Sequence, residues 1–350
     1  EEIAKPSVHC DLQLHGDAKA LIRALLELLK EEKSLPLFKG GEGIVRAEAR
    51  KFIREKAAEA VLEEDKSERL TWLDTVRFYQ ANYPTILPEY RSEETAECNV
   101  YALVEKLSER AEENQITAVG NGSPCVAGGQ SYIIKKGSRF ISQDGVASMG
   151  YGLPAGIGAY CAAVDFTKEE AERLKKTPYW QGKEESYPPY QEKDIIVLTG
   201  DGSIQMNLQE LQTISGAKMP IKMFLINNDG YHSIRQTERN FFGDQPLIGI
   251  GSDSGDLSFP SFEKIAAAFE LPYVAARNND EIDAAIQKTL AAEGPMLCEI
   301  FVDTDQNFEP KSGGKRLPDG SMVSPPLEEL VPFLSDEELD ENMIVPRYQP

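Results

Sequence analysis

The stretch that decides the fold is residues 194–230, DIIVLTGDGSIQMNLQELQTISGAKMPIKMFLINNDG. It contains a continuous apolar run, 194–199, and a second largely apolar run, 221–226, of the kind found in strands that are buried on both faces of a sheet. The apolar spacing between these runs predicts a helix over 205–214. A buried strand, a helix and a second buried strand form the repeating unit of a parallel α/β sheet.

The alternation of strand and helix continues on both sides of this stretch. The further predicted helices cover 96–112, 149–163, 262–268 and 280–291, and the further predicted strands cover 116–119, 140–141 and 296–302. We therefore predict an α/β fold for residues 93–350. It consists of a doubly wound, mostly parallel sheet flanked by helices, with a C-terminal extension.

The segment before this domain, residues 1–92, has a different character. Residues 17–31 carry apolar side chains at helical spacing, whereas residues 1–16 hold too few apolar side chains to form a sheet. Residues 33–88 are charged and are punctuated by prolines, which is typical of a connecting segment. We predict that this largely helical segment is the tail of a domain that begins upstream, plus a linker.

Residues 165–193 interrupt the alternation with charges, aromatic side chains and three prolines. A solvated surface loop is the simpler interpretation of this insertion. A lid or a partner-binding loop is the alternative.

The composition of the chain excludes several classes of protein. Its 41% apolar residues are enough for a buried core, and its length fits about two domains. The formal charge is 37 − 58 = −21, which disfavours nucleic acid and anionic lipid as partners. No apolar run approaches the roughly 18 residues of a membrane helix, and residues 1–6 lack the features of a secretion signal. We expect a cytoplasmic protein without a membrane segment.

The five cysteines are scattered, and no two of them form a CxxC pair. Four of the five lie in apolar or small-residue surroundings that are typical of buried thiols. We therefore expect neither disulfides nor a zinc site. The cysteines are Cys10, Cys98, Cys125, Cys161 and Cys298.

Two turns follow the two strands of the central stretch, TGDGS at 199–203 and NNDG at 227–230. Because ligands collect beyond the carboxyl ends of parallel strands, we expect the two turns to face each other. In the first turn, Gly200 and Gly202 permit a sharp bend, and Ser203 opens a helix whose N–H groups favour phosphate.

A carboxylate from Asp201, an amide oxygen from Asn228 and a backbone carbonyl are hard oxygen donors, which suit Mg²⁺. Together the turns predict a metal-bridged diphosphate site. Either turn alone is a common loop sequence, so the prediction depends on their pairing across a 24-residue spacer.

This order of GDGS, spacer and NN resembles the thiamine diphosphate signature of the decarboxylase and acetolactate synthase superfamily. Residues 144–159, DGVASMGYGLPAGIGA, are similar to the block that precedes the signature in acetolactate synthases. The resemblance covers about residues 95–310, the pyrophosphate domain of such enzymes. More weakly, GDAKALIRALLELL at 16–29 resembles the end of their central domain. Further similar segments are QELQTI at 209–214, KMPIK at 218–222 and the phenylalanine pair at 241–242.

The resemblance implies roles for the matching residues of the two turns. The implied metal ligands are the side chains of Asp201 and Asn228 and the backbone carbonyl of Gly230. The implied cofactor contacts are Gly200, Gly202, Ser203 and Asn227. Among these, Gly202 and Ser203 would bind the diphosphate through their N–H groups, and Asn227 would support its turn.

Other implied roles concern the reactive end of the cofactor. Met149 would bend the cofactor into a V, and the Ala147 carbonyl would hold its amino group. Asn121 would approach the cofactor from the turn after the first strand, although an ordinary turn asparagine is the simpler interpretation. His232 follows the metal turn and would reach the substrate, although a partly exposed loop histidine is the simpler interpretation.

The chain departs from the acetolactate synthase pattern at three points. GNGSP at 120–124 replaces a turn rich in glutamine and histidine, and Ser233 replaces a methionine. In the family, a glutamate from an N-terminal pyrimidine domain activates the cofactor, and nothing in this sequence resembles that domain. The substrate assignment is therefore open, and the activating glutamate must come from an upstream segment or a partner chain.

The resemblance implies thiamine diphosphate- and Mg²⁺-dependent decarboxylation of a 2-keto acid, with transfer of the resulting acyl carbanion. Pyruvate is the expected donor, and the chain alone is expected to be inactive. The implied assembly is a homodimer or tetramer, and FAD would bind only through upstream parts. The alternatives are a 2-keto acid decarboxylase or lyase of the same superfamily and a non-catalytic cofactor-binding subunit. A nicotinamide-binding domain is disfavoured because no GxGxxG follows the first strand.

Overall fold

A computed structural model describes residues 72–165, 176, 194–243, 247–317 and 319–347. The predicted helix over 17–31, the linker up to residue 71, Cys10 and nearly all of the 165–193 insertion lie outside these residues. The chain divides into two compact units. One unit is Thr85–Glu309, and the other is formed by the segments on either side of it. The domain boundaries of 1–92 and 93–350 stay a prediction.

The larger unit is built on a six-stranded sheet in which every neighbouring pair of strands is parallel. The strands are β1 (Ile116–Val119), β2 (Arg139–Ile141), β3 (Ile195–Gly200), β4 (Ile221–Asn227), β5 (Tyr273–Ala276) and β6 (Met296–Phe301). Their order across the sheet is β2-β1-β3-β4-β6-β5. The chain moves from β1 outward to β2 and then returns to the other side of β1, so a topological switch point lies between β1 and β3.

Helices flank this sheet, which confirms the predicted α/β fold class. In the larger unit they are α2 (Val100–Arg110), α3 (Ser123–Ser131), α4 (Gly152–Asp165), α5 (Asp201–Ile204), α6 (Glu210–Gly216), α7 (His232–Phe242), α8 (Phe262–Ala268) and α9 (Asn279–Leu290). None of the helices within the described ranges is both long and apolar enough to cross a membrane.

Each central strand is buried on both faces, which explains its continuous apolar sequence. In β3, Ile196 and Leu198 belong to one buried cluster, together with Leu103 of α2. The alternate residues Ile195 and Val197 belong to a second cluster on the other face. The sheet therefore lies between two apolar layers, and polar groups are left to its ends.

Several elements differ from the sequence predictions. The predicted helix over 205–214 begins earlier and is broken, with α5 and a 3₁₀ turn at Gln205–Asn207 before α6. The predicted helix over 149–163 starts only at Gly152, because Gly150 has a left-handed backbone with φ of +84°. Helices α3 and α7 and strand β5 had no counterpart among the predictions. The glycines of α3 and the half-buried surface of β5 weaken their apolar periodicity.

The described part of the smaller unit contains α1 (Trp72–Asn82), α10 (Asp336–Asn342) and a two-stranded antiparallel hairpin of β7 (Lys315–Arg316) and β8 (Met322–Val323). The Tyr83 hydroxyl donates a hydrogen bond to Glu338 at 2.8 Å. Glu329 pairs with both Lys315 and Arg347, each at 2.8 Å. The Tyr83 bond therefore ties the C-terminal extension to the residue that follows α1, and the Glu329 pairs hold the extension together.

The four described cysteines are free thiols. Cys98 and Cys298 are buried, as predicted, and burial raises the pKa of each thiol to about 12. Cys125 is only half-buried and Cys161 is exposed, so the expectation that four cysteines are buried is wrong. Cys161 has small apolar neighbours in the sequence of α4, but a helix buries only one of its faces, and Cys161 lies on an exposed one.

Candidate functional site

The carboxyl ends of β1, β3 and β4 border an open cavity of about 110 Å³ at the switch point of the sheet. Strands β3 and β4 end in register, with Gly200 opposite Ile226, so the two polar turns lie side by side. The cavity brings together all the predicted site residues except Ala147 and Asn227. These lining residues are Asn121, Met149, Gly200, Asp201, Gly202, Ser203, Asn228 and Gly230.

Asp201 lies at the centre of the site and is 2% exposed. Its Oδ1 accepts a hydrogen bond from the Gly202 N–H at 2.7 Å, and its Oδ2 accepts one from the Gly230 N–H at 2.9 Å. The carboxylate therefore joins the two turns directly. Burial raises the pKa of Asp201 to about 7, and the charge of Asp229 acts in the same direction. The backbone hydrogen bonds act against this rise.

Asn228 is the second buried side chain of the site, and its two amide atoms have different surroundings. The Nδ2 donates to the Ser123 hydroxyl at 2.7 Å, which fixes the orientation of the amide. The Oδ1 is buried and has no hydrogen-bond partner. An unsatisfied buried oxygen is unfavourable unless something binds it, and a cation is a suitable occupant.

The GDG turn bends without any left-handed residue, so the predicted reason for its two glycines is wrong. Gly200 has φ of −97°, which any residue can adopt. A Cβ added there would lie 4.0 Å from the Ile226 carbonyl oxygen, so the position has room for one. A Cβ on Gly202 would lie 2.5 Å from the Tyr231 ring, so this glycine is required by packing. The resemblance assigns the Gly202 N–H to the diphosphate, but in the structure this N–H donates to the Asp201 carboxylate.

Ser203 links this turn to the segment that carries Met149. The Ser203 hydroxyl oxygen accepts a hydrogen bond from the Gly150 N–H at 2.8 Å, and the Gly150 carbonyl accepts one from Asn207 at 2.9 Å. These bonds hold Met149 at the wall of the cavity. Ala147 lines a narrow neighbouring crevice, too small to hold a water molecule, which Asn121 also borders.

Comparison with known proteins gives the family of this site. The family described as thiamine pyrophosphate enzyme, C-terminal TPP binding domain, matches residues 120–300, which is more than half of the chain. The chain belongs to the thiamine pyrophosphate enzymes. The prediction of a thiamine diphosphate-dependent, acetolactate synthase-like protein is therefore confirmed.

The relatives of this thiamine pyrophosphate domain include acetolactate synthases. The acetolactate synthase large subunit of Porphyra purpurea is 26% identical over 241 residues, which are 69% of this chain and 35% of that protein. Acetolactate synthase 2, chloroplastic, of Zea mays is 29% identical over 215 residues, which are 60% of this chain and 30% of that protein. The chain thus spans about a third of the length of the curated relatives it matches.

Among solved structures, the Rhodococcus jostii RHA1 thiamine diphosphate-dependent 4-hydroxybenzoylformate decarboxylase has a TM-score of 0.46 and 18% sequence identity. The match covers 62% of this chain and 34% of that one.

The thiamine pyrophosphate domain holds Asn227 outside the cavity, in a supporting position. Its Oδ1 accepts a hydrogen bond from the Asp229 N–H at 3.0 Å, which closes a local turn. Its Nδ2 donates to Glu299 at 2.6 Å, and Glu299 is a buried residue of β6 that also accepts from the Tyr273 hydroxyl. Sequence reasoning missed Glu299, because a carboxylate inside a strand carries no local signal of its partner.

Arg235 is a second residue that sequence reasoning missed. Its guanidinium is buried in α7 and donates to the carbonyls of Asn228 and Asp229 at 2.9 and 3.0 Å. It also forms a bidentate ion pair with Asp253, with Nε–Oδ2 and Nη2–Oδ1 distances of 3.0 and 3.1 Å. Partial burial tends to raise the pKa of Asp253, but the hydrogen bonds and charge of Arg235 hold it below its usual value.

His232 opens α7 and lines the cavity. It is 6% exposed, and its ring packs edge-on against Phe308 with centroids 4.7 Å apart. The interpretation as a partly exposed loop histidine is therefore wrong, since the turn after β4 leads directly into a helix that buries the ring. The cavity walls on this side also include Ser233 and Ile234.

Proposed function

We propose that this thiamine pyrophosphate domain binds thiamine diphosphate through Mg²⁺ in the cavity between the two turns. Completed by a pyrimidine domain, it would decarboxylate a 2-keto acid, with pyruvate as the expected donor, and transfer the acyl group as acetolactate synthases do. The observation that carries the proposal is the buried Oδ1 of Asn228, which lacks a hydrogen-bond partner and belongs to a residue that lines the same cavity as Asp201.

The donor set of the site fits Mg²⁺. Asp201 and Asn228 supply hard oxygen atoms, and Gly230, which lines the same cavity, is the implied source of a backbone carbonyl. Among the described residues no cluster of three or more His, Cys, Asp or Glu side chains could hold a metal. A site with a single carboxylate suits a cation that takes its remaining ligands from water and from phosphate oxygens, as Mg²⁺ does.

The residues of the chain would divide the remaining tasks. The Ser203 hydroxyl accepts from Gly150, so its own hydrogen is left to donate to a phosphate oxygen. Met149 would press against the middle of the cofactor and set its bend. The Ala147 N–H donates to the Gln143 carbonyl at 2.8 Å, which fixes the turn just before Met149. When bound, the thiazolium ring supplies the electron sink for decarboxylation.

The site needs a second protein surface. Ile234 lines the cavity yet is 49% exposed, so apolar area faces outward at the rim. A pyrimidine domain from an upstream segment or a partner chain would cover this rim and supply the activating glutamate. We therefore expect a homodimer or tetramer, with FAD bound only by parts outside these residues.

A simple 2-keto acid decarboxylase is the second candidate, and the position of His232 favours it. Such an enzyme must protonate the carbon that has lost CO₂, and an imidazole is well suited to proton transfer near neutral pH. His232 lines the cavity. Product analysis separates the two candidates, because a decarboxylase releases an aldehyde whereas an acyl-transferring enzyme releases a hydroxy-ketone.

Calorimetric titration of the 350-residue chain with thiamine diphosphate tests the proposal. We expect binding that depends on Mg²⁺ and is lost in Asp201→Ala, because the only carboxylate of the site is gone. Asp283→Ala is the control, since that carboxylate pairs with Arg110 and lies outside the cavity lining. Unchanged affinity in Asp201→Ala would rule out the metal assignment.

The same chain should release no CO₂ from pyruvate by itself. Addition of a separately expressed pyrimidine domain should restore CO₂ release, because the activating glutamate is then present. Robust turnover by the chain alone would overturn the proposal that its active site is shared.

A further inference from the structure

The turn from Asn227 to Tyr231 is bonded to the buried guanidinium of Arg235, which is not among the residues that line the cavity. Arg235 is 1% exposed and is among the largest fully buried side chains of the described residues. Its guanidinium donates to two consecutive carbonyls, those of Asn228 and Asp229, and pairs with both oxygens of Asp253. Two of these four bonds reach the turn that carries the Asn228 side chain, and the other two hold the guanidinium against Asp253.

A buried arginine adds little net stability to a fold. The desolvation of the guanidinium offsets most of the Coulombic gain from its partner, and an apolar side chain of similar volume often gives equal or greater stability. The specific property of the guanidinium is its planar set of donors, which fixes the direction of several acceptors at once. The bonds of Arg235 therefore point to control of geometry.

The turn itself needs such control. Asp229 has a left-handed backbone with φ of +53°, and Gly230 has φ of +142°. These conformations are seldom adopted and persist where the surroundings enforce them. The opposing segment is close: the Tyr231 N–H donates to the Ile250 carbonyl at 2.7 Å. A Cβ on Gly251 would lie 2.0 Å from the Asp229 carbonyl oxygen.

We propose that Arg235 and Asp253 are positioning residues that make this site select Mg²⁺ over Ca²⁺. The inference rests on the proposed function, since it assumes that Asp201, Asn228 and Gly230 hold the cation. Mg²⁺ requires near-octahedral ligands at about 2.0–2.1 Å, whereas Ca²⁺ accepts longer distances of about 2.3–2.6 Å and irregular geometry. A turn fixed through its carbonyls keeps the small octahedral arrangement, and a loosened turn adapts to the larger ion.

The test is a pair of titrations of the 350-residue chain with thiamine diphosphate, one in Mg²⁺ and one in Ca²⁺. Arg235→Met keeps the volume of the side chain but removes its charge and donors. We expect the Mg²⁺-supported affinity to fall about tenfold or more, which is the usual effect of losing a group that orients a ligand. The Ca²⁺-supported affinity should fall less, so the ratio of the two affinities should shift towards Ca²⁺.

Three further variants complete the test. Asp253→Asn should shift the ratio in the same direction by a smaller factor, and it decides the question if Arg235→Met does not fold. Arg235→Lys should give an intermediate ratio, because one ammonium group cannot bond both carbonyls and both Asp253 oxygens. Arg239→Met is the matched control, since Arg239 pairs with Asp253 and Asp305 but makes no bond to the turn.

Thermal unfolding of each variant separates positioning from simple stabilisation. A lower melting temperature with an unchanged ratio of Mg²⁺ to Ca²⁺ affinity would overturn the inference, as would an equal loss of both affinities. An unmodified chain that binds thiamine diphosphate without any divalent cation would instead overturn the proposed function.

Discussion

The two turns that border the cavity are held in different ways. The turn after β3 is held through backbone N–H groups: Asp201 accepts from the N–H groups of Gly202 and Gly230, and Ser203 accepts from that of Gly150. The turn after β4 is held by side chains distant in sequence. Asn227 is bonded to Glu299, 72 residues away, and Asn228 to Ser123, 105 residues away. The first turn is thus bonded mainly to backbone groups, whereas the second depends on distant side chains that only the completed sheet brings together.

The largest expected effect comes from adding one methyl group to the turn after β4. In Gly230→Ala the new Cβ would lie 1.8 Å from the Ile250 carbonyl oxygen, at a left-handed backbone position. We expect a loss of about 3 kcal/mol in the free energy of unfolding, from overpacking and backbone strain combined. Denaturant unfolding of the metal-free chain measures it.

Gly200→Ala is the matched control in the other turn. The nearest atom to its new Cβ is 4.0 Å away, and its φ of −97° suits any residue. We expect a change within about 0.5 kcal/mol. Equal losses for the two alanine variants would contradict the distinction between the turns.

A smaller effect is expected when the remote support of the second turn is removed. Glu299→Met keeps the approximate volume but leaves the Asn227 amide and the Tyr273 hydroxyl without their acceptor. We expect the free energy of unfolding to fall by about 2 kcal/mol. Glu299→Gln retains one carbonyl oxygen and should recover part of the loss. Equal stability for Glu299→Met and the unmodified chain would show that Asn227 does not need this partner.

The smallest expected effect is a pH dependence that belongs to the first turn. Burial raises the pKa of Asp201 to about 7, so between the unfolded and folded pKa values the folded state binds the extra proton. The stability of the metal-free chain should therefore fall as pH rises, by about 1 kcal/mol between about pH 6 and pH 8. Thermal melts in EDTA measure this slope, and Asp201→Asn should remove it. A slope retained in that variant would assign it to another group.

Much of the fold follows from the sequence because the central strands are buried on both faces. Continuous runs such as DIIVLT can only be strands or buried helices, and their length and spacing decide for strands. The predicted helix over 262–268 agrees with α8. Helix α3 was missed because the sequence SPCVAGGQS has two adjacent glycines and little periodicity, although the proline at its start is a helix signal.

The candidate site divides in the same way. Asp201, Ser203 and Asn228 stand next to strand ends, so the sequence places them at one edge of the sheet, and the cavity contains them. Ser123, Glu299 and Asp253 could not be assigned, since no sequence periodicity links a polar residue to a partner many residues away. Arg235 stands in a run of polar residues, HSIRQTERN, where a charge is usually solvated. Only the packed structure shows that this one is buried.

The cavity at the switch point exists only when β1, β3 and β4 are paired. Its walls come from segments near residues 121, 149, 201 and 228, which an unfolded chain does not hold together. A ligand of this cavity therefore binds the folded state alone and shifts the folding equilibrium by mass action. A concentration of 100 times the dissociation constant adds about 2.7 kcal/mol to the free energy of unfolding. The folded fraction of the protein, and with it its lifetime against proteolysis, thus depends on the supply of its own cofactor.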